Sequence, residues 1–389
     1  MADPVTPARD RARPGFRTRG QPAAVAALDA MLGSGMPHAL LLVGPPGVGK
    51  ATLADDLAAA LLCRHEDPAA RPCRSCRLCR AAEHGNHPDL HRLDPVGAGA
   101  VIPIGGRDER GVRDLAAELA LMPVEGGARV AIMAEADRMT EDAQSAFLKT
   151  LEEPPAGAVL VMCAADEERL LPTVRSRCVR IRLGPVPPRE VERIVVDAGA
   201  ADAPLAARVA RLSSGRPGLA LVLARSPEAL RIRGEIARTL IDLASSTRTD
   251  RLRGIRDLLA RAADLSKAMR PGFTSSRDAA PAADPEPDAA VDAGPATKVR
   301  VPAAERRAAA LALVALWQEL VRDALALGAG APEAVRDLDL LDELTALRQR
   351  LPPRAGAAHL RRLETAGERL AGNVSPELVL DVLALEWVA

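Results

Sequence analysis

Three groups of residues have types and spacings that could do chemistry. The first is Gly44, Pro45, Pro46, Gly47, Val48, Gly49 and Lys50, which meets the phosphate-loop pattern G-x-x-x-x-G-K. A Gly-rich turn between a strand and a helix presents backbone N–H groups to phosphate, aided by the positive end of the helix dipole. The next position, normally a hydroxyl that holds magnesium, is Ala51. Thr52 is no substitute, because one step along a helix turns the side chain by about 100°. Two further losses match it. The strand ending MAEAD has Ala134 where a magnesium-side Asp would stand, followed by Glu135, and the strand ending MCAAD offers only Cys163, Ala164 and Ala165 where a polar phosphate sensor would sit. Weak ATP or ADP binding through Lys50 and the loop amides, without hydrolysis, is the expectation.

The second group is Cys63, Cys73, Cys76 and Cys79, spaced C-x9-C-x2-C-x2-C. Four thiolates can close a tetrahedral structural zinc site and leave no open position for a catalytic water. Redox chemistry by C-x-x-C is the competing reading, and the third and fourth sulfurs weigh against it. His65, His84, His87 and His91 lie nearby; with four thiolates sufficient, they read as solvent-exposed loop residues. The third group is Ser176-Arg177-Cys178, just before a short apolar strand. On pattern alone, Arg175 and Arg177 read as solvated loop charges.

The elements that must carry these groups alternate. His38 to Gly44 reads as a buried strand feeding the Gly-rich turn, and Leu53, Leu57 and Leu61 then recur every four positions, as on one helix face. Arg129 to Asp137 and Ala158 to Asp166 read as further strands. Continuous apolar strands separated by helices predict an α/β domain, a parallel sheet covered on both faces. The text changes near LGPVPP; a short helical piece follows from Glu190 to about Ser226, and the remainder is helical. There Leu313, Leu316, Trp317 and Leu320 fall at i, i+3, i+4 and i+7, marking a buried face. The segment Arg277 to Lys298 has four prolines, five acidic residues and Val291 as its only large apolar residue. Such a stretch cannot bury enough surface to offset ordering and reads as a disordered insertion at about 271–300.

Composition narrows the function classes. The 389 residues suit two or three domains, and 52 basic residues balance 52 acidic ones, so net charge supplies no bulk attraction to nucleic acid or membrane. With two Trp, three Phe and no Tyr, base stacking on aromatic platforms is disfavoured. The arginine-rich start lacks an apolar segment, the longest apolar runs are strand-length, and a soluble cytoplasmic protein is expected.

Taken together, GPPGVGK, the four-cysteine module, LKTLEEPP (Leu148 to Pro155) and Ser176-Arg177-Cys178 resemble the bacterial clamp-loader family of AAA+ proteins, over about residues 20 to 225. Within it, the segment Gly85 to Pro95 and the missing magnesium ligands are similar to the degenerate, non-hydrolysing subunit rather than to the ATP-hydrolysing motors. The resemblance implies three domains: an AAA+ P-loop domain over 1–184, a helical lid over 185–226 and an all-α collar over 227–389. It implies partners too, namely gamma/tau motor and delta subunits in a hetero-pentameric ring that loads a sliding clamp onto primed DNA. It assigns Arg177 as an arginine finger acting in trans on a neighbouring motor's ATP. Where the motors usually carry a sensing arginine in the lid, this chain has Gly218, with Arg216 two residues early. An intact motor subunit, or a free-standing P-loop enzyme, is the alternative.

Overall fold

The computed structural model describes residues 13–96, 100–106, 109–125, 127–269, 303–372 and 374–387. The proposed insertion at about 271–300 lies outside them. The chain forms two compact units, one running to Ala220 and the other starting at Leu221.

In the first unit the elements follow as α1 (Pro22–Ser34), β1 (Ala39–Val43), α2 (Lys50–Leu62), α3 (Arg77–Glu83), β2 (Leu90–Leu93), α4 (Val112–Leu119), β3 (Arg129–Met133), α5 (Glu141–Glu152), β4 (Ala158–Ala164), α6 (Pro172–Arg175), β5 (Val179–Arg182), α7 (Pro188–Asp197), α8 (Ala203–Leu212) and the start of α9 (Pro217–Arg225). The five strands make one parallel sheet in the order β2-β3-β4-β1-β5. The period-2 alternation of strands sorts their side chains into two cores. Leu40, Leu42, Val130, Ile132, Val159 and Val161 face Leu53, Leu57 and Leu28 of the helices on one side. Leu41, Ala131, Met133, Leu160 and Met162 face Leu115, Phe147 and Val174 on the other. This is the α/β arrangement expected, a parallel sheet with both faces covered.

Strand β2 is the element the hydrophobic pattern did not mark. LHRL carries two polar residues, yet it pairs with β3 at the sheet edge, where His91 and Arg92 can stay half-buried. Helix limits follow local chemistry. Thr140 caps α5 by accepting the Ala143 N–H at 3.2 Å, with Glu141 and Asp142 in the first turn, and Pro154-Pro155 follow its end.

The second unit is helical, with α10 (Pro227–Leu243), α11 (Arg248–Met269), α12 (Ala303–Gly328), α13 (Leu341–Arg350), α14 (Pro353–Ala371) and α15 (Pro376–Leu385). The predicted face of α12 is buried, with Leu313, Leu316, Trp317 and Leu320 all in the core. Trp317 and Trp387 meet edge-on, 5.1 Å between ring centres, and His359 sits against both. No helix among the described residues is long and apolar enough to cross a membrane.

Candidate functional site: a degenerate phosphate loop, a thiolate cluster and a surface arginine

The phosphate loop lies where its sequence predicts, between β1 and α2. Gly49 caps α2 in a left-handed conformation, φ +109°, which a residue with a Cβ rarely adopts. Register sets what surrounds it. Leu42 pairs with Cys163 and Val43 with Ala164, so the end of β4 lies directly beside the loop, and the Gly44 N–H donates to the Ala164 carbonyl at 3.1 Å.

Lys50 is folded into its own loop. Its ammonium donates to the carbonyls of Gly44 and Pro45, and the residue is buried. Burial pushes its pKa down, while the carboxylates of Asp137 and Glu135 nearby favour the charged form. Cys163 is itself pushed up to about 12 by burial, so it is a neutral thiol at this position. The magnesium side is bare. Ala51 and Thr52 are both exposed, Ala134 offers only a methyl, and Glu135 is paired with Arg138 at 3.0 Å on the surface. Asp137, which the pattern did not single out, accepts the N–H groups of Ala165 and Asp166, each at 3.2 Å. Its carboxylate thus secures the end of β4.

The first turn of α9 closes over this loop. The Gly218 N–H donates to the Gly47 carbonyl at 2.9 Å. A Cβ on Gly218 would stand 3.1 Å from Gly47 Cα and 3.2 Å from its oxygen. A side chain at position 218 would therefore crowd Gly47 while this contact is made. What remains of a nucleotide site is the amides of Gly47 to Lys50 and the Lys50 amine, which fit a phosphate but supply nothing to hold magnesium.

The four cysteines converge. Cys63 directly follows α2, Cys76 caps α3, and the four sulfurs lie within 4.8 Å of one another. Four sulfurs about 2.3 Å from a central tetrahedral ion stand roughly 3.8 Å apart, so the set fits zinc. The N–H groups of His65 and Cys73 point at Cys63 Sγ, each at 3.5 Å, and that of Cys79 at Cys76 Sγ at 3.4 Å. The Ser75 hydroxyl, 3.6 Å from Cys73 Sγ, leads the contacts that lower that thiol to about 5, whereas burial raises Cys79. Such donors favour thiolates, the form a metal takes.

None of the histidines joins this set among the described residues. His65 and His84 are exposed, as expected, but His87 is buried and His91 half-buried, which corrects the expectation for those two. His87 Nδ1 accepts the Asp89 N–H at 3.1 Å, and His91 meets Glu118 at 2.9 Å. Both belong to the β2 edge, where Asp89, fully buried, accepts from Val124 N–H, Glu125 N–H and Arg129. A carboxylate flanked by Pro and Leu in HPDL is the one signal that could have marked this buried network in advance.

Arg177 follows α6 by two residues. Its guanidinium donates to the Thr173 carbonyl at 2.8 Å and to Glu152 at 2.6 Å, and its side chain is one-third exposed. Arg175 pairs instead with Glu168 at 2.7 Å. The partners of Arg177 all belong to α5 or the α6 turn; the phosphate loop of its own chain contributes none of them.

Residues 20–187 match the family described as DNA polymerase III, delta subunit. The DNA polymerase III subunit delta' of Pseudomonas aeruginosa is 39% identical over 143 residues, 37% of this chain and 42% of that one. The subunit delta' of Escherichia coli is 37% identical over 194 residues, 48% and 54% of the two chains. The gamma/tau subunit of Mycobacterium tuberculosis is 33% identical over 179 residues, covering 45% of this chain and 29% of that one. The chain spans about half the length of the delta' relatives it matches. Over the matched residues, which hold the phosphate loop, the four cysteines and Arg177, the chain is similar to the delta' subunits of DNA polymerase III.

Proposed function

We propose that this chain is the non-hydrolysing subunit of a cytoplasmic clamp loader. In this reading it sits in a hetero-pentameric ring with gamma/tau motor and delta subunits and helps place a sliding clamp on primed DNA. Residues 1–184 form the P-loop domain, 185–226 the lid and 227–389 the collar through which the ring is held. Arg177 reaches the ATP of a neighbouring motor, where a fixed guanidinium stabilises charge on the transferring phosphoryl group. Zinc, held by Cys63, Cys73, Cys76 and Cys79, is structural. ATP or ADP binds weakly at Gly44 to Thr52 and is not turned over.

One observation carries the reading: the chain keeps a one-third-exposed guanidinium at Arg177 while its own loop has lost the magnesium side at Ala51 and Ala134. That guanidinium's permanent positive charge lies apart from the chain's own phosphate loop, which contributes none of its partners. The motor alternative needs a magnesium ligand that positions 51 and 134 do not supply. Phosphate release tests the division of labour. The purified chain should release none above background, and adding it to motor and delta subunits should raise their DNA-stimulated ATPase. Turnover by the isolated chain would contradict the proposal.

A further inference from the structure

The zinc module reaches beyond its own sulfurs. Between Cys73 and Cys76 stands Arg74, a non-glycine residue in the left-handed region, φ +59°. Its guanidinium spans three partners: the Gly15 carbonyl at 2.7 Å, Glu83 at 3.2 Å, and the carboxylate of Asp56. Asp56 lies in the middle of α2, the helix that begins at Lys50, and its side chain is 1% exposed. The other carboxylate oxygen accepts the N–H groups of Arg17 and Thr18 at 2.9 and 2.8 Å and the Thr18 hydroxyl at 2.6 Å.

The N-terminal segment 13–18 is thus held on both sides. Arg13 donates to the carbonyls of Arg71 and Pro68, both at 2.8 Å, in the loop between the first two cysteines. Gly15 passes so close that a Cβ there would stand 1.9 Å from the Pro72 carbonyl oxygen. Removing the cation from a buried carboxylate is strongly destabilising, far more so than breaking an exposed pair. The position of that cation depends on a strained turn bounded by two ligands.

We propose that zinc, by fixing the Cys73–Cys76 turn, holds Arg74 on Asp56 and so fastens residues 13–18 to the P-loop helix. Metal occupancy and closure of the N-terminal segment are one event. The α2 helix is gripped twice, at its end through Cys63 and at its middle through Asp56. This inference is independent of whether Arg177 acts on a neighbour.

Hydrogen exchange on the full chain tests it, with zinc content measured in parallel. After zinc is stripped with a mercurial and chelator, amides of Arg17 and Thr18 should exchange at least tenfold faster, while those of α12 keep their protection. Asp56→Asn and Arg74→Ala alter no ligand; with zinc retained, each should release the same segment. Unchanged exchange at residues 13–18 after zinc loss would overturn the proposal. So would a zinc-bound Arg74→Ala protein whose segment stays fully protected, and this arm decides the matter even if metal removal unfolds the sheet.

Discussion

Arg177 donates to Glu152 at 2.6 Å across the surface of the first unit, joining the last residue of α5 to the turn after α6. Both side chains are substantially exposed, 33% and 50%, so the pair contributes about 0–1 kcal/mol. A contact this weak places the guanidinium without holding it. Glu152→Gln should therefore shift the melting temperature by no more than a degree or two, measured by thermal unfolding of the purified chain.

Restoring a single hydroxyl should not restore hydrolysis. Ala51→Thr supplies the loop's missing magnesium ligand, but Ala134, Ala164 and the Gly47–Gly218 contact remain. Phosphate release by this variant should stay at background. Turnover approaching about 1 s⁻¹, the low end of ordinary enzymes, would show that the loop lacks only that oxygen.

The thiolate cluster should govern the stability of the first unit. Cys76→Ser removes a thiolate ligand while leaving a hydroxyl that can still cap α3 and accept the Cys79 N–H. Zinc content should fall from one atom per chain towards zero, with a loss of several kcal/mol in chemical unfolding. Metal analysis and urea titration check both.

A pH response is expected from the second unit. His359 is 1% exposed between Trp317 and Trp387, and burial, with Arg362 adding to it, lowers its pKa from 6.5 to about 4. The unfolded chain therefore binds the proton more tightly. Stability is full above about pH 6.5 and is lost as pH falls towards 4, to about 3 kcal/mol in all. The chain's two tryptophans both lie in this unit, so their fluorescence follows its unfolding. Urea midpoints at pH 7.5 and 4.5 should differ less in His359→Phe than in the unaltered chain.

The sheet was legible because β1, β3 and β4 are continuous apolar runs, a pattern that needs no knowledge of their partners. The α12 face was legible for the same reason, through its i, i+3, i+4 spacing. Phosphate-loop and cysteine spacings could be read directly, because chain-local geometry puts Gly49 at the helix cap and brings the two C-x2-C steps together. Asp56, Asp89, Arg129 and Arg74 were not legible, since their roles come from contacts with residues up to 59 positions away. A charge in the chain looks the same whether water or a carboxylate awaits it. Asp56 gave a partial sign, being with Asp55 one of two carboxylates between Leu53 and Leu57 on a helix rich in Ala and Leu. His87 and His91 were misjudged for the related reason that β2, the edge strand that contains His91 and follows His87, is too polar to stand out.

The most direct test is ATP hydrolysis by the reconstituted ring carrying Arg177→Ala, measured with primed DNA and clamp present and with ring assembly verified. Hydrolysis at the motor site next to this subunit should fall by on the order of 10³-fold, the lower end of what a trans-acting arginine contributes, while the isolated variant keeps its fold. A ring that assembles and hydrolyses ATP at the unaltered rate at that site would contradict the account.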